Sequence, residues 1–226
     1  MKPYVTLARA LTPGGSELTL HSQDGEFFLR VNRQALMGTR ASGSEMEMAQ
    51  LGCARLTEKR GARVLIGGLG FGYTLRRVLE LTATDAVVEV AELLPEVVQW
   101  NREFLHEVNG QLLDDPRVCV SIGDVVALIA RAPAAHYDAI LLDVDNGPGA
   151  MVQTGNGRLY ESPGLSAVFR ALKPGGRAAY WSAVPDKAFA RRLAGAGFTV
   201  ECVAARAWAK ARRSAHTIFT ADRAGS

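Results

Sequence analysis

The stretch that most constrains this chain runs from Arg63 to Tyr73. An apolar run, Val64, Leu65 and Ile66, reads as a buried strand. Four glycines follow, Gly67, Gly68, Gly70 and Gly72, and then Thr74–Leu81, in which Leu75, Val78 and Leu79 share one helical face. A strand that turns through glycines into a helix lets the backbone approach a ligand closely. It also leaves amide N–H groups free at the helix start, where they favour a nucleotide-like group.

An acidic residue follows at a suitable distance. Val87, Val88, Glu89 and Val90 form a second apolar strand, with Glu89 about twenty residues past the glycines, the spacing at which a carboxylate accepts from ribose hydroxyls. The competing reading is a tight strand–helix connection with no ligand. The dinucleotide pattern fits badly: counted from Gly68, the second glycine is Gly70, but the third falls on Tyr73, where close helix–strand packing needs glycine. A nucleoside without a pyrophosphate fits better, and S-adenosylmethionine or a relative is the leading candidate. The expected contacts are Gly67, Gly68, Leu69, Gly70, Glu89 and Val90.

Composition narrows the class. With 226 residues, 48% of them hydrophobic, the chain can bury one sizeable α/β core. A net charge of +3 gives little support for nucleic acid as a partner. No apolar run approaches the roughly 20 residues that span a bilayer. The N-terminus lacks the long apolar segment of a signal peptide, so a cytoplasmic protein without a membrane partner is expected. Cys53, Cys119 and Cys202 are scattered and odd in number, as reduced thiols are. His21, His106, His136 and His216 have no metal-like spacing, so no metal is expected, and there is no nucleophile elbow.

Along the chain, residues 1–40 read as a small β-hairpin element, because Asp24-Gly25 separates the apolar runs 17–21 and 26–31. It serves either as a flap over the core or as a lid or dimer surface. The first long helix covers 42–56, with Ser44 and Glu47 spaced as a capping box. From residue 62 strands and helices alternate: strands at 63–67, 85–90, 118–122, 137–143 and 177–182, helices at 73–82, 94–107, 124–130, 163–172 and 185–196. The last two strands, 198–203 and 216–220, have no helix between them and should pair antiparallel. Residues 41–226 are therefore expected to form a Rossmann-like α/β domain: a mostly parallel seven-stranded sheet, helices on both faces, and an antiparallel C-terminal strand, the class I methyltransferase architecture.

Ligands of such sheets lie beyond the carboxyl ends of the strands. That rim collects the glycine turn, Glu89, Gly123, Asp124 and Asp143. Asp124 suits either an adenine amino group or a helix N-cap. Asp143 ends a strand whose preceding residues, Ala139 to Leu142, are apolar, either as a functional carboxylate or as a loop cap. Tyr73 and Tyr160 are candidates for an acceptor pocket. Arg206, Lys210, Arg212 and Arg213 read as a solvated loop or a face for an anionic substrate.

Several pieces together resemble the spermidine synthase family, the polyamine aminopropyltransferases: residues 37–45, the glycine turn, Val88-Glu89-Val90, residues 115–118, Gly123-Asp124, residues 137–143 and 171–176. The resemblance implies that Glu89 binds ribose, Asp124 contacts adenine, and Asp143 is the base that helps deprotonate the attacking amine. Two departures bear on chemistry. Family members carry Asp in the glycine turn to hold the donor's aminopropyl ammonium, and here Gly70 takes its place. The family loop's second Asp, which helps bind the polyamine, has Asp145 as a substitute one position early. Without the acid at 70, selection against ordinary S-adenosylmethionine weakens. The favoured expectation is thus an S-adenosylmethionine-dependent methyltransferase-like enzyme acting on a small-molecule acceptor, as a homodimer. The alternative is aminopropyl transfer from decarboxylated S-adenosylmethionine to a polyamine. A non-catalytic nucleoside-binding module is the third reading.

Overall fold

A computed structural model describes residues 3–144, 154–206 and 216–225. The chain begins with a four-stranded antiparallel meander, β1 (Val5–Leu11), β2 (Glu17–Gln23), β3 (Glu26–Val31) and β4 (Gln34–Gly38). The expected hairpin is its centre. Asp24 at φ 51° and Gly25 at φ 83° provide the two left-handed residues that a two-residue hairpin turn needs. Two further strands flank it. The β3–β4 turn uses Asn32 at φ 47° and Arg33 at φ 68°, a pair without the glycine that marks such turns in sequence. Along β3 every second residue, Phe27, Leu29 and Val31, is buried, so the sheet presents one face to the rest of the protein.

After α1 (Gly43–Gly52) come β5 (Arg63–Gly67), α2 (Tyr73–Leu81), β6 (Val87–Glu92), α3 (Pro95–Glu103), the short α4 (His106–Asn109), β7 (Val118–Ile122) and α5 (Val125–Arg131). They are followed by β8 (Tyr137–Leu142), α6 (Ser162–Ala171), β9 (Leu172–Ser182), α7 (Lys187–Gly195), β10 (Thr199–Ala205) and β11 (His216–Asp222). The second sheet has the order β10-β11-β9-β8-β5-β6-β7. Its strands run parallel except β11, which pairs antiparallel with both β9 and β10. This is the expected mostly parallel seven-stranded architecture with a late antiparallel strand. Every residue of β8 is buried, as a central strand covered on both faces requires.

The capping box expected at Ser44 does not form. The helix starts at Gly43 with Ser42 as N-cap and no side-chain capping bond. Ser44, one residue inside, turns its hydroxyl to Glu45 instead.

Strand order reverses between β5 and β8, whose ends lie side by side, with Gly67 opposite Leu142. A crevice at this switch point is where open α/β sheets hold ligands. The β-meander closes it: Leu18, Leu20, Phe27, Leu29 and Val31 share one hydrophobic cluster with Val64, Ile66 and Phe71 of the main sheet's side.

Candidate active site

The glycine turn is shaped first by backbone crowding. Gly68 sits at φ 90°, and a Cβ there would overlap the carbonyl oxygen of Asp143. Only glycine lets the ends of β5 and β8 meet this closely. Gly70 is at φ 50°, and its missing Cβ would lie 3.0 Å from Cε of Met37, which reaches over from β4. Gly72, at φ 79°, leads into α2.

Above this turn is a cavity of about 370 Å³, within the range of small-molecule sites. Its walls come from every strand end on the rim. The turn contributes Gly68, Leu69 and Gly70, β6 ends in Glu92, Gly123 and Asp124 follow β7, and Asp143 follows β8. Helix α1 adds Ser44 and Glu45, α2 adds Tyr73 and Thr74, and β9 and β11 add Trp181 and His216. The meander contributes apolar Leu18, Leu29, Leu36 and Met37.

Four expected contacts need correction. Glu89 is not on the rim. It lies inside β6, opposite Leu65 and Cys119, where its carboxylate accepts from Tyr137 Oη at 2.7 Å and Ser121 Oγ at 3.0 Å. The strand runs two residues further than expected, so the carboxylate at its end is Glu92. Val90 is likewise buried within the strand, and Gly67 lies beneath the cavity, against the side chains of Leu142, Val125 and Val144. Tyr160 is buried away from the cavity, its ring 5.2 Å from Phe189 and 6.1 Å from Tyr180. Asp145, Lys210, Arg212 and Arg213 lie outside the described residues; Arg206 is exposed at the end of β10. Tyr73 does line the cavity, and its hydroxyl donates to the Thr39 carbonyl at 3.0 Å, tying α2 to the exit from the meander.

Glu92 is held rigidly. Leu69 N donates to Oε2 at 2.9 Å and Leu94 N to Oε1 at 3.0 Å. Burial raises its pKa, an effect that these backbone donors offset only in part. Each oxygen retains a lone pair, so the group can still accept from a vicinal diol. Asp124 is the N-cap of α5, accepting from Val126 N at 2.8 Å, and it also faces the cavity. The capping role is realised, and it fixes the carboxylate at the rim.

The second acidic pair is unlike the first. Asp143 accepts one long bond, 3.5 Å from Thr74 Oγ1. Burial, with the negative charge of Glu45 added to it, pushes its carboxyl up to about 8. Glu45 is also raised by burial, partly offset by the hydroxyl of Ser44, which donates to Oε2 at 2.8 Å. Two crowded carboxylates that resist joint ionisation attract a cation or hold a proton. Among the described lining residues there are four carboxylates, Glu45, Glu92, Asp124 and Asp143, and no lysine or arginine.

Known proteins resemble this chain in sequence and in fold. The family model described as spermine/spermidine synthase domain matches residues 46–183, more than half of the chain. A polyamine aminopropyltransferase of Mycobacterium tuberculosis is 39% identical over 119 residues, 51% of this chain and 22% of that protein. Putrescine N-methyltransferase 1 of Nicotiana tabacum is 34% identical over 114 residues, 50% of this chain and 28% of that protein. The chain thus covers less than a third of the length of either relative. The spermidine synthase structure from Thermotoga maritima superposes with a TM-score of 0.73 at 16% identity, covering 98% of this chain and 73% of that one, a likeness of fold.

Proposed function

Because the chain belongs to the spermine/spermidine synthase family, we propose that it transfers an aminopropyl group from decarboxylated S-adenosylmethionine to an amine acceptor. The observation that carries this reading is the charge of the cavity: four carboxylates and, among the described lining residues, no side-chain cation. Ordinary S-adenosylmethionine brings an α-carboxylate for which such a wall has no partner. The decarboxylated donor and an amine acceptor bring only positive charge. This ordering reverses the preference drawn from Gly70 alone.

The chemistry is a displacement. The acceptor nitrogen attacks the carbon next to the sulfonium, the C–S bond breaks, and methylthioadenosine leaves with the electron pair as a neutral thioether. The new nitrogen–carbon bond leaves a proton to be removed. Asp143 is the base in this reading, because a carboxylate raised toward neutrality is better matched to an amine than an ordinary one. Glu92 would hold the ribose and Asp124 the adenine, with the glycine turn beneath. In-line positioning supplies the remaining rate, since the sulfonium is already a good leaving group.

A second reading has an observation of its own. Gly70 carries no acid, and the thioether end of Met37 borders the space where one would project. That favours methyl transfer from ordinary S-adenosylmethionine to an amine. The test is to supply each donor with a panel of mono- and diamines and identify the nucleoside product by mass spectrometry. Methylthioadenosine supports the first reading and S-adenosylhomocysteine the second. Donor binding without either product would leave a nucleoside-binding module.

A further inference from the structure

Among the described titratable side chains that line the cavity, His216 at the start of β11 has no part in the displacement. Its Nδ1 lies 3.0 Å from Ser44 Oγ. Ser44 Oγ in turn lies 2.8 Å from Glu45 Oε2. The three groups form a continuous chain from β11 to α1, although Ser44 and His216 are 172 residues apart. Ser44 and Glu45 are buried, whereas His216 is half-buried. Its ring packs on the other side against Trp181, with centroids 4.6 Å apart.

We propose that Ser44 and His216 form a path that carries a proton from the Glu45–Asp143 carboxylate pair out of the cavity. The proposal rests on the amine-transfer reading for its use: each turnover leaves one proton on the pair, and the next amine needs the base restored. The atoms balance simply. Protonated Glu45 gives its proton to Ser44 Oγ as the Ser44 hydroxyl hydrogen passes to Nδ1 of His216. The resulting imidazolium turns about its Cβ–Cγ bond, gives the Nδ1 proton to water, and turns back as the neutral Nε2–H tautomer, ready to accept again. A serine hydroxyl suits the middle position because it both donates and accepts. An imidazole suits the end because its two nitrogens exchange roles near neutral pH.

The surroundings of His216 keep it an empty acceptor between transfers. Burial lowers its pKa, so it stands neutral and ready to accept at pH 7. The elements packed on β11 are β9, β10 and α1. They present to His216 the ring of Trp181, the backbone partner Ala205, and the side chains of Ser44 and Glu45, of which Glu45 is the titratable one. Asp143 lies beyond Glu45 on the same cavity wall. His216 and Ser44 are thus positioning residues that act through the carboxylates.

The test combines kinetics with a titration that needs no turnover. Ser44→Ala and His216→Ala should each lower kcat about tenfold at pH 7, with the donor and amine KM values unchanged. Added imidazole should restore His216→Ala, and the deficit should narrow as buffer concentration rises. A uniform loss that ignores pH, imidazole and buffer would mean a structural role and overturn the path, as would wild-type kcat in both variants. Independently, the NMR titration of the His216 ring should move to lower pH in Glu45→Gln, and Ser44→Ala should abolish that dependence. A His216 curve indifferent to both changes overturns the path even if the variants are inactive. A wild-type protein silent on every amine, with His216 still tied to Glu45, would sink the amine-transfer reading and leave the path standing.

Discussion

Asp143→Asn should make this protein more stable while abolishing its proposed reaction. In the unfolded chain Asp143 has an ordinary pKa near 3.8, and in the fold it is raised to about 8. The folded state therefore binds more protons than the unfolded one between these values, and stability falls as pH climbs from about 4 to about 8. One pKa unit is worth about 1.4 kcal/mol, which bounds the cost at roughly 6 kcal/mol. Part of that cost is repulsion shared with Glu45, so removing one charge should recover about 2 kcal/mol above pH 8. The amide keeps an oxygen that can accept from Thr74, so packing is preserved. For a chain of this size that corresponds to roughly 4–8 °C in Tm. The assay is thermal unfolding without donor, from pH 4.5 to 8.5, for wild type, Asp143→Asn, Glu45→Gln and the double variant. The gain should vanish at the acid end, and the double variant should fall short of the sum of the singles, because each change removes the same repulsion. A Tm for Asp143→Asn at or below wild type at pH 8.5, or a difference that does not vary with pH, would refute the account.

Glu92→Gln should weaken donor binding at least tenfold by calorimetry, through the diol contact and the disturbed Leu69 and Leu94 amides. Glu89→Gln should leave donor affinity within about threefold and lower Tm instead, since its partners are Tyr137 and Ser121. Gly70→Asp is tolerated by the backbone, because Asp adopts φ near 50° and the end of Met37 can move aside. It should shift the ratio of dissociation constants toward the decarboxylated donor by roughly tenfold, about 1.4 kcal/mol; an unchanged ratio would show that the charge at 70 does not select the donor. Gly68→Ala should cost several kcal/mol and reduce the yield of folded protein, because both its φ and the Asp143 carbonyl exclude a methyl group; a wild-type melting curve would contradict that.

The fold was legible because its signals are local and redundant. Apolar runs of strand length alternate with amphipathic helices, and the turn residues between them agree in kind, so the order of elements and the late antiparallel strand follow from periodicity. The fourth strand of the meander goes unmarked in the sequence because its turn, Asn32-Arg33, lacks glycine. The site was legible only in part. Asp143 and Asp124 were found because each ends an apolar run. The apolar run points to Glu89 where the strand's end carries Glu92, because both are acids near that end and a two-residue shift of the boundary moves a side chain from the rim into the sheet.

What the amino-acid order determined by itself is the α/β alternation, the glycine turn and the acids that follow the strands, since each depends on neighbours within a few residues. What only the tertiary structure decided is which groups meet. Met37 borders Gly70, Glu45 presses on Asp143, and His216 reaches Ser44 because four distant segments converge over one crevice. The raised carboxyl of Asp143 belongs to this second class: it is set by burial and a neighbour 98 residues away in the chain, and electrostatic energy depends on distance through space, not along the sequence.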